Sequence, residues 1–215
     1  MLDRSLGTGD IPQMLHVYGV WNIPGTHRQR SFVNGLTNGW NISWIYSYYS
    51  GSPLAITASG CQVYGQGTCM PSYNTAFTKS ARIGGGWGKG ITAATAGTHP
   101  YIDATAFVIP NQTYQIGNLA RTGAYNLFGP GGFDIDSAIN RTFKIYGGLA
   151  LTITATATNV TNAVHWRIGS TTVNPGPVST PGVNSIGTNT KSNFGTISGQ
   201  TNAARDWQFS AKIVF

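Results

Sequence analysis

Asp206-Trp207-Gln208-Phe209-Ser210-Ala211-Lys212-Ile213-Val214-Phe215 alternates with a period of two. Trp207, Phe209, Ala211, Ile213 and Phe215 fall on one face, and Gln208, Ser210 and Lys212 on the other, as a β-strand requires. Leu149 to Asn159 repeats the pattern, with Leu149, Leu151, Ile153, Ala155 and Ala157 opposed by Thr152, Thr154, Thr156 and Thr158. A helix would scatter those threonines around its circumference; a strand lines them on one side. Phe133 to Ile145 sets Phe133, Ile135, Ile139, Phe143 and Ile145 against Asp134, Asp136, Asn140, Thr142 and Lys144, with Ser137 and Arg141 breaking the apolar face. Trp40, Ile42, Trp44, Tyr46 and Tyr48 alternate with Asn41, Ser43 and Ser47, and Leu15, Val17, Trp21 and Ile23 with His16 and Asn22. The expected strands lie near 13–23, 39–57, 133–145, 149–159 and 206–215.

Their connections alternate in length. Tyr146-Gly147-Gly148 is a tight turn and the segment around His27 to Gly35 is modest, whereas 58–130 and 161–205 are long. Such loops are unusual in a compact soluble domain. They are ordinary in an outer-membrane barrel, whose periplasmic turns are short and extracellular loops long.

Composition points the same way. Only 9% of the 215 residues are charged, and all 6 acids are Asp, against about 25% charge in a typical soluble domain. The absence of Glu weakens long helices, which use it in caps and ion pairs. At 40% hydrophobic and 12% aromatic residues the chain is too apolar to remain disordered. No apolar run is long enough for a membrane helix, which needs roughly 18 residues. The stretch from Met1 to Val20 carries Asp3, Arg4 and Asp10 and lacks the apolar core of a signal peptide, so export is expected to need a preceding segment. The net charge of +7 reflects scarce acids rather than a basic patch, and nucleic acid is not an expected partner.

In a bilayer every backbone polar group must pair internally, which leaves helices and closed barrels. Strands of about 9–11 residues, apolar outward and polar inward, satisfy that rule. Aromatic residues toward the strand ends, Trp21, Trp40, Tyr46, Tyr48, Tyr146, Trp207 and Phe215, suit the two interfacial girdles. The fold class expected is an all-β, antiparallel up-and-down transmembrane β-barrel segment with two long extracellular loops. A soluble β-sandwich with one buried face is the competing reading.

Several stretches carry a family resemblance. Gly39-Trp40-Asn41-Ile42-Ser43 leading to Ser50-Gly51-Ser52-Pro53 resembles a stretch of TonB-dependent outer-membrane receptors. Gly117-Asn118-Leu119-Ala120-Arg121 through Gly129-Pro130-Gly131-Gly132-Phe133-Asp134-Ile135-Asp136 is similar to a segment of their Oar-like branch. Thr158-Asn159-Val160-Thr161-Asn162 matches another element, with Thr158 where an aromatic is usual. Phe194 to Gln200 and Arg205 to Phe215 resemble the ending. The resemblance implies a barrel of roughly 22 strands closed around a plug, of which this chain would supply about five or six strands without the plug. It further implies that Phe215 serves as an outer-membrane assembly signal.

With Phe215 at the periplasmic side, both long connections fall outside and the short ones inside. The first strand would then lack a neighbour, and an open edge is an aggregation liability, so the isolated chain is not expected to form a closed monomer.

Candidate sites are few. Cys61 and Cys69 are expected to form a small disulfide, with free thiols the alternative and a metal site poorly supported. Gly84-Gly85-Gly86-Trp87-Gly88-Lys89-Gly90 evokes a phosphate loop, but Ile83 takes the first glycine position and Gly90 replaces the Ser or Thr; a surface loop able to touch lipopolysaccharide phosphates, together with Lys79 and Arg82, fits better. Asp134, Asp136, Asn140, Thr152, Thr154, Gln208 and Lys212 are the expected lumen-facing polar residues. His16, His27, His99 and His165 share no ligand spacing, and neither catalytic residues, a metal nor a cofactor is expected.

The function expected is that of a C-terminal wall segment of a TonB-dependent receptor for energy-coupled uptake, in the bacterial outer membrane and not competent for transport alone. Its partners would be outer-membrane lipid and lipopolysaccharide, the barrel assembly machinery, the remainder of the receptor, and TonB only through the missing N-terminal region. The alternatives are a secreted or surface β-sandwich acting as an adhesin or carbohydrate-binding module, and a small porin-like barrel. An enzyme is not expected.

Overall fold

Period-two alternation becomes a sheet only if neighbouring strands keep the same phase, and here they do. The computed structural model describes residues 5–25, 35, 37–59, 68–83, 100–110, 115–175, 184–188 and 193–215. Along the chain it forms β1 (Met14–Asn22), β2 (Trp40–Tyr49), β3 (Thr57–Ser59), β4 (Thr68–Cys69), β5 (Ser72–Tyr73), β6 (Phe107–Ile109), β7 (Gly132–Lys144), β8 (Ala150–Thr158), β9 (Trp166–Ile168), β10 (Thr172–Pro175), β11 (Ser185–Thr188), β12 (Ile197–Gln200) and β13 (Asp206–Val214). The chain divides into two units. The first, the wall, holds 14–49, 133–164 and 202–215; the second, the insert, holds 1–13, 50–132 and 165–201.

The wall is a five-stranded sheet in the order β1-β2-β7-β8-β13, so strands adjacent in space follow one another along the chain within this unit. β1 pairs antiparallel with β2, β7 with β8, and β8 with β13. Across the remaining junction the Tyr46 and Phe133 rings are 6.2 Å apart. Ser137 Oγ donates to the Ser43 carbonyl at 3.1 Å, and the Arg141 guanidinium lies 5.6 Å from the Trp40 ring centroid. β7 numbers rise as β2 numbers fall, so this junction is antiparallel too.

The β7–β8 turn is closed by Leu149 N–H donating to Tyr146 O at 3.0 Å. Its central residues, Gly147 (φ 60°) and Gly148 (φ 91°), both take left-handed backbone, the type I′ geometry whose twist matches antiparallel strands.

Register sorts the side chains into two faces. Trp207, Phe209, Ala211 and Ile213 oppose Ala157, Ala155, Ile153 and Leu151, which oppose Ser137, Ile139, Arg141 and Phe143. Leu15, Val17 and Trp21 oppose Tyr48, Tyr46 and Ile42 in the same phase. Gly19 faces Trp44, and a Cβ on Gly19 would sit 2.4 Å from that indole, so the ring covers the space a side chain would take. Among the described residues, none of the wall joins the buried hydrophobic cluster. Val17, Trp21, Trp207, Phe209 and Ile213 are exposed, and β1 and β13 are open to solvent along nearly every residue of both faces. A β-sandwich would have buried one face.

The insert is built the opposite way. It holds a six-stranded sheet in the order β4-β3-β10-β11-β6-β5 and a two-stranded sheet of β12 and β9. Its core gathers Ile56, Ile102, Phe107, Ile109, Leu119, Leu127, Val173, Phe194 and Ile197. The Phe107 and Phe194 rings meet edge to face, 5.8 Å between centroids. The pairing of β3 with β10 is parallel, Thr57 opposite Thr172 and Ala58 opposite Val173, and it joins the two long connections into one folded body.

Two expectations need correction. The long connections 58–130 and 161–205 are not merely loops, because they supply most of this cored unit. The second strand ends at Tyr49 and does not run on to residue 57. Gly51 lies so close to the Gly129 carbonyl that a Cβ would fall 1.7 Å from its oxygen. Leu54 N–H is drawn to Leu127 O at 3.0 Å, so the chain after Tyr49 packs within the insert. The other wall strands fall within a residue of their expected bounds.

Candidate functional site: the polar face of the wall

The face opposite the apolar rows is lined by short polar side chains in register. Ala138, Thr156 and Gln208 form one row, Asn140, Thr154 and Ser210 the next, and Thr142, Thr152 and Lys212 the third. Thr142 and Thr152 hydroxyls are 2.9 Å apart. The expected residues Asn140, Thr152, Thr154, Gln208 and Lys212 therefore share one face, and Asp134 and Asp136 join it by strand alternation. Charge is graded along the face. Asp134, Asp136 and Asp206 lie at the end where the chain enters β7 and β13, and Lys144 and Lys212 toward the other. Such a surface can hydrogen-bond water or a polyhydroxylated solute.

Asp136 also has a structural task. Its Oδ1 accepts the Asn159 backbone N–H at 2.9 Å. Asn159, 6% exposed with φ 48°, donates from Nδ2 to the Ala163 and Ala203 carbonyls and accepts Ala163 N–H on Oδ1 at 2.8 Å. Asn162 Oδ1 accepts Arg205 N–H at 3.1 Å, and Asn202 Nδ2 donates to Ala163 O at 2.8 Å. A buried amide with its donors and acceptor engaged holds the end of β8 against the start of β13. Sequence reasoning met Asn159 only as part of a motif and missed this role.

The face is not uniformly polar. Tyr18 (82% exposed), Val20 and Ile45 stand on it and, with Ala138, Asp136 and Thr156, line a shallow hollow of about 400 Å³. Alternation from Leu15 to Ile23 did not reveal this, because Tyr18 and Val20 stand between His16 and Asn22 on the same face of β1.

The two polar interruptions of the apolar face are accommodated where they stand. Ser137 spends its hydroxyl on Ser43 O. Arg141 is buried, lies 4.3 Å from the Phe143 ring centroid and 5.6 Å from that of Trp40, and donates to the Gly35 carbonyl. Cation–π contact and a carbonyl acceptor let a guanidinium sit among apolar groups.

Of the remaining expected positions, Cys69 is disulfide-bonded, while Cys61 lies outside the described residues, as do Gly84 to Gly90, His27 and His99. His16 pairs with Ser47 Oγ at 3.0 Å, and His165 is buried. Among the described residues no group of three or more His, Cys or Asp comes together to hold a metal. No helix among them is long and apolar enough to cross a membrane, which leaves strands untouched. Phe215 is fully exposed beyond β13.

Four of the stretches that carried the family resemblance meet in two pairs. Gly129 N–H donates to Ser52 O at 2.8 Å and Pro53 bridges Phe128, joining the Ser50–Pro53 and Gly129–Asp136 stretches. Asn118 Oδ1 accepts Tyr73 N–H at 3.0 Å, and Gly117 leaves no room for a Cβ, which would fall 2.1 Å from Met70 O. Asn162 and Arg205 join two more.

An antiparallel meander with one apolar and one largely polar face and, among the described residues, no buried cluster of its own defines a piece of membrane β-barrel wall. The family model for an outer membrane beta barrel domain matches residues 1–208, and the chain belongs to that family. Neither the curated proteins nor the solved structures compared with it give a match.

Proposed function

We propose that residues 1–215 are a wall segment and external insert of a TonB-dependent receptor of the Oar-like kind, seated in the bacterial outer membrane and serving energy-coupled uptake. The observation that carries this reading is the pairing of resemblance stretches: Gly51 against Gly129 and Asn162 on Arg205 are positions where small or amide residues are demanded. The wall presents an apolar face that suits lipid. The polar face would line the lumen, and the external insert would meet substrate and lipopolysaccharide. Assembly would use the barrel machinery reading Phe215, and TonB would act through a plug on the remainder of the receptor. The chain itself carries no catalysis in this scheme.

The exposed face of the wall argues against the sandwich adhesin. Fractionation tests the location: the chain should sediment with outer membranes and need detergent, whereas release by salt alone would favour the adhesin. The DNA 5′ of the Met1 codon tests the receptor class. An in-frame plug domain is expected, and a promoter directly upstream with a folded, channel-forming 215-residue product would overturn the reading.

A further inference from the structure

The hollow on the polar face differs from its surroundings. Register sets Tyr18 opposite Ile45 and Val20 opposite Ser43 across β1 and β2, and Ala138 opposite Thr156 across β7 and β8. Its lining comes from these four adjacent strands and lies wholly within the wall. Rows farther along the face carry Thr, Asn and Ser, which water satisfies. Here Tyr18 is 82%, Val20 66% and Ile45 53% exposed. Apolar side chains gathered in one hollow, rather than scattered singly, mark a binding surface. Its volume of about 400 Å³ suits a small molecule, whose sites are mostly apolar with a few placed polar groups.

One of the placed groups is charged. Asp136 lines the hollow. Its Oδ1 takes the Asn159 N–H at 2.9 Å, and its other oxygen has no partner among the described residues. The lysines of this face stand far off. Lys212 is in register with Thr152 and Thr142, six residues along β7 from Asp136, roughly 20 Å at the rise of a strand. Salt screens charge over about 8 Å at physiological strength, and Lys144 is farther still. Arg205 gives Nη1 to the Val160 carbonyl at 3.3 Å, and His16 pairs with Ser47 Oγ at 3.0 Å.

We propose that the hollow is a subsite for an organic cation, an ammonium group carried on an apolar ring or chain. The apolar body lies on Tyr18, Val20 and Ile45, where ring stacking and burial hold it. The ammonium meets the Asp136 carboxylate in a charge-assisted hydrogen bond. β1 and β7 flank β2, two strand spacings or roughly 10 Å apart, so a ring and an amine separated by two carbons fit between Tyr18 and Asp136. A neutral sugar would leave the carboxylate uncompensated, and an anion would be repelled by it. The site rests on the reading of this face as lumen wall and is independent of the TonB assignment.

The test uses the full chain in outer membranes and three probes with one body: 2-phenylethylamine, 2-phenylethanol and phenylacetate. Radiolabelled probe is measured by equilibrium dialysis, with binding to membranes lacking the chain subtracted. The amine should bind about tenfold tighter than the alcohol, and phenylacetate should not bind. D136N keeps an oxygen for the Asn159 N–H and should lower the amine to the alcohol's level. Y18A should weaken amine and alcohol alike by about threefold, whereas Y146A, in the distant turn, should change neither. Equal binding of the three probes, a preference for phenylacetate, or a preference for the amine that survives D136N would overturn the proposal. The probes on the unaltered chain decide even if D136N does not insert. Salt washing reads the wall separately: release of the chain overturns the wall reading and the site with it, while retention without selectivity overturns the site alone.

Discussion

Phe194 in the insert is fully buried at 0% exposure, while Phe209 in the wall is 74% exposed. One chain handles the same side chain in opposite ways. The insert turns its apolar groups inward and surrounds Phe107 and Phe194 with Ile102, Leu119 and Val173. The wall turns Trp207, Phe209 and Ile213 outward and keeps threonines on its other face. Burying a large apolar side chain is worth about 1.5–3 kcal/mol wherever it leaves water. The insert collects that free energy by folding, and the wall collects it by entering lipid. The difference teaches that one composition, poor in charge, serves two ends here: a wall with an exposed apolar face and an insert with a buried core.

The largest test of this contrast compares two phenylalanines. Phe194→Ala should destabilise the insert by about 3–5 kcal/mol, seen as lost near-UV circular dichroism and lost protease protection of 50–132. Phe209→Ala should leave both unchanged and weaken only partition into bilayers. Equal losses would erase the distinction. Next in size, Ile153→Lys on the apolar face should cost about 2–4 kcal/mol in bilayers, measured by guanidinium titration, and Thr154→Lys beside it should be close to neutral. A reversed order would assign the faces the other way.

A smaller effect is expected at the polar hub. Asn159→Ala should cost about 1–3 kcal/mol, by leaving the Ala163 N–H and the Ala203 carbonyl without their partner. Asn159→Gly, which tolerates the left-handed backbone, separates the lost bonds from strain, and hydrogen exchange at Ala163 reads both. The smallest concerns pH and the insert alone. Burial outweighs the neighbouring Arg82 and holds the Tyr101 phenol above its ordinary 10.0. In the unfolded chain the phenol ionises first, so the insert's stability is full below pH 10 and falls as pH rises toward the folded value. Tyr101→Phe should flatten that alkaline decline, measured by denaturant midpoints from pH 9 to 11.

The wall was legible because nine or more residues of strict alternation, as in Ala150–Thr158, leave a helix no way to segregate its threonines. The candidate residues on the polar face were legible for the same reason, since parity alone groups Asn140 with Thr154 and Gln208. The insert was not. Its strands are two to four residues long, too short for any period, and Thr57 finds Thr172 across 115 positions at 2.9 Å. The overrun of the second strand has the same origin, for Gly51 continues an alternating pattern and only its approach to Gly129 ends it. The role of Asn159 at the end of the expected strand 149–159 was not legible because its partners, Ala203 and Asp136, lie far away in the sequence.

The parallel pairing of Thr57–Ala58 with Thr172–Val173 also bears on how such a chain can change over generations. Each insertion supplies one side of a shared ladder and part of one core. A recombination event that exchanged 58–130 with a relative, but kept 161–205, would mate two half-modules that had not been selected together. Viable exchange is therefore expected to carry both segments at once, so that the insert diversifies as a linked pair while the wall strands between them in sequence descend unchanged.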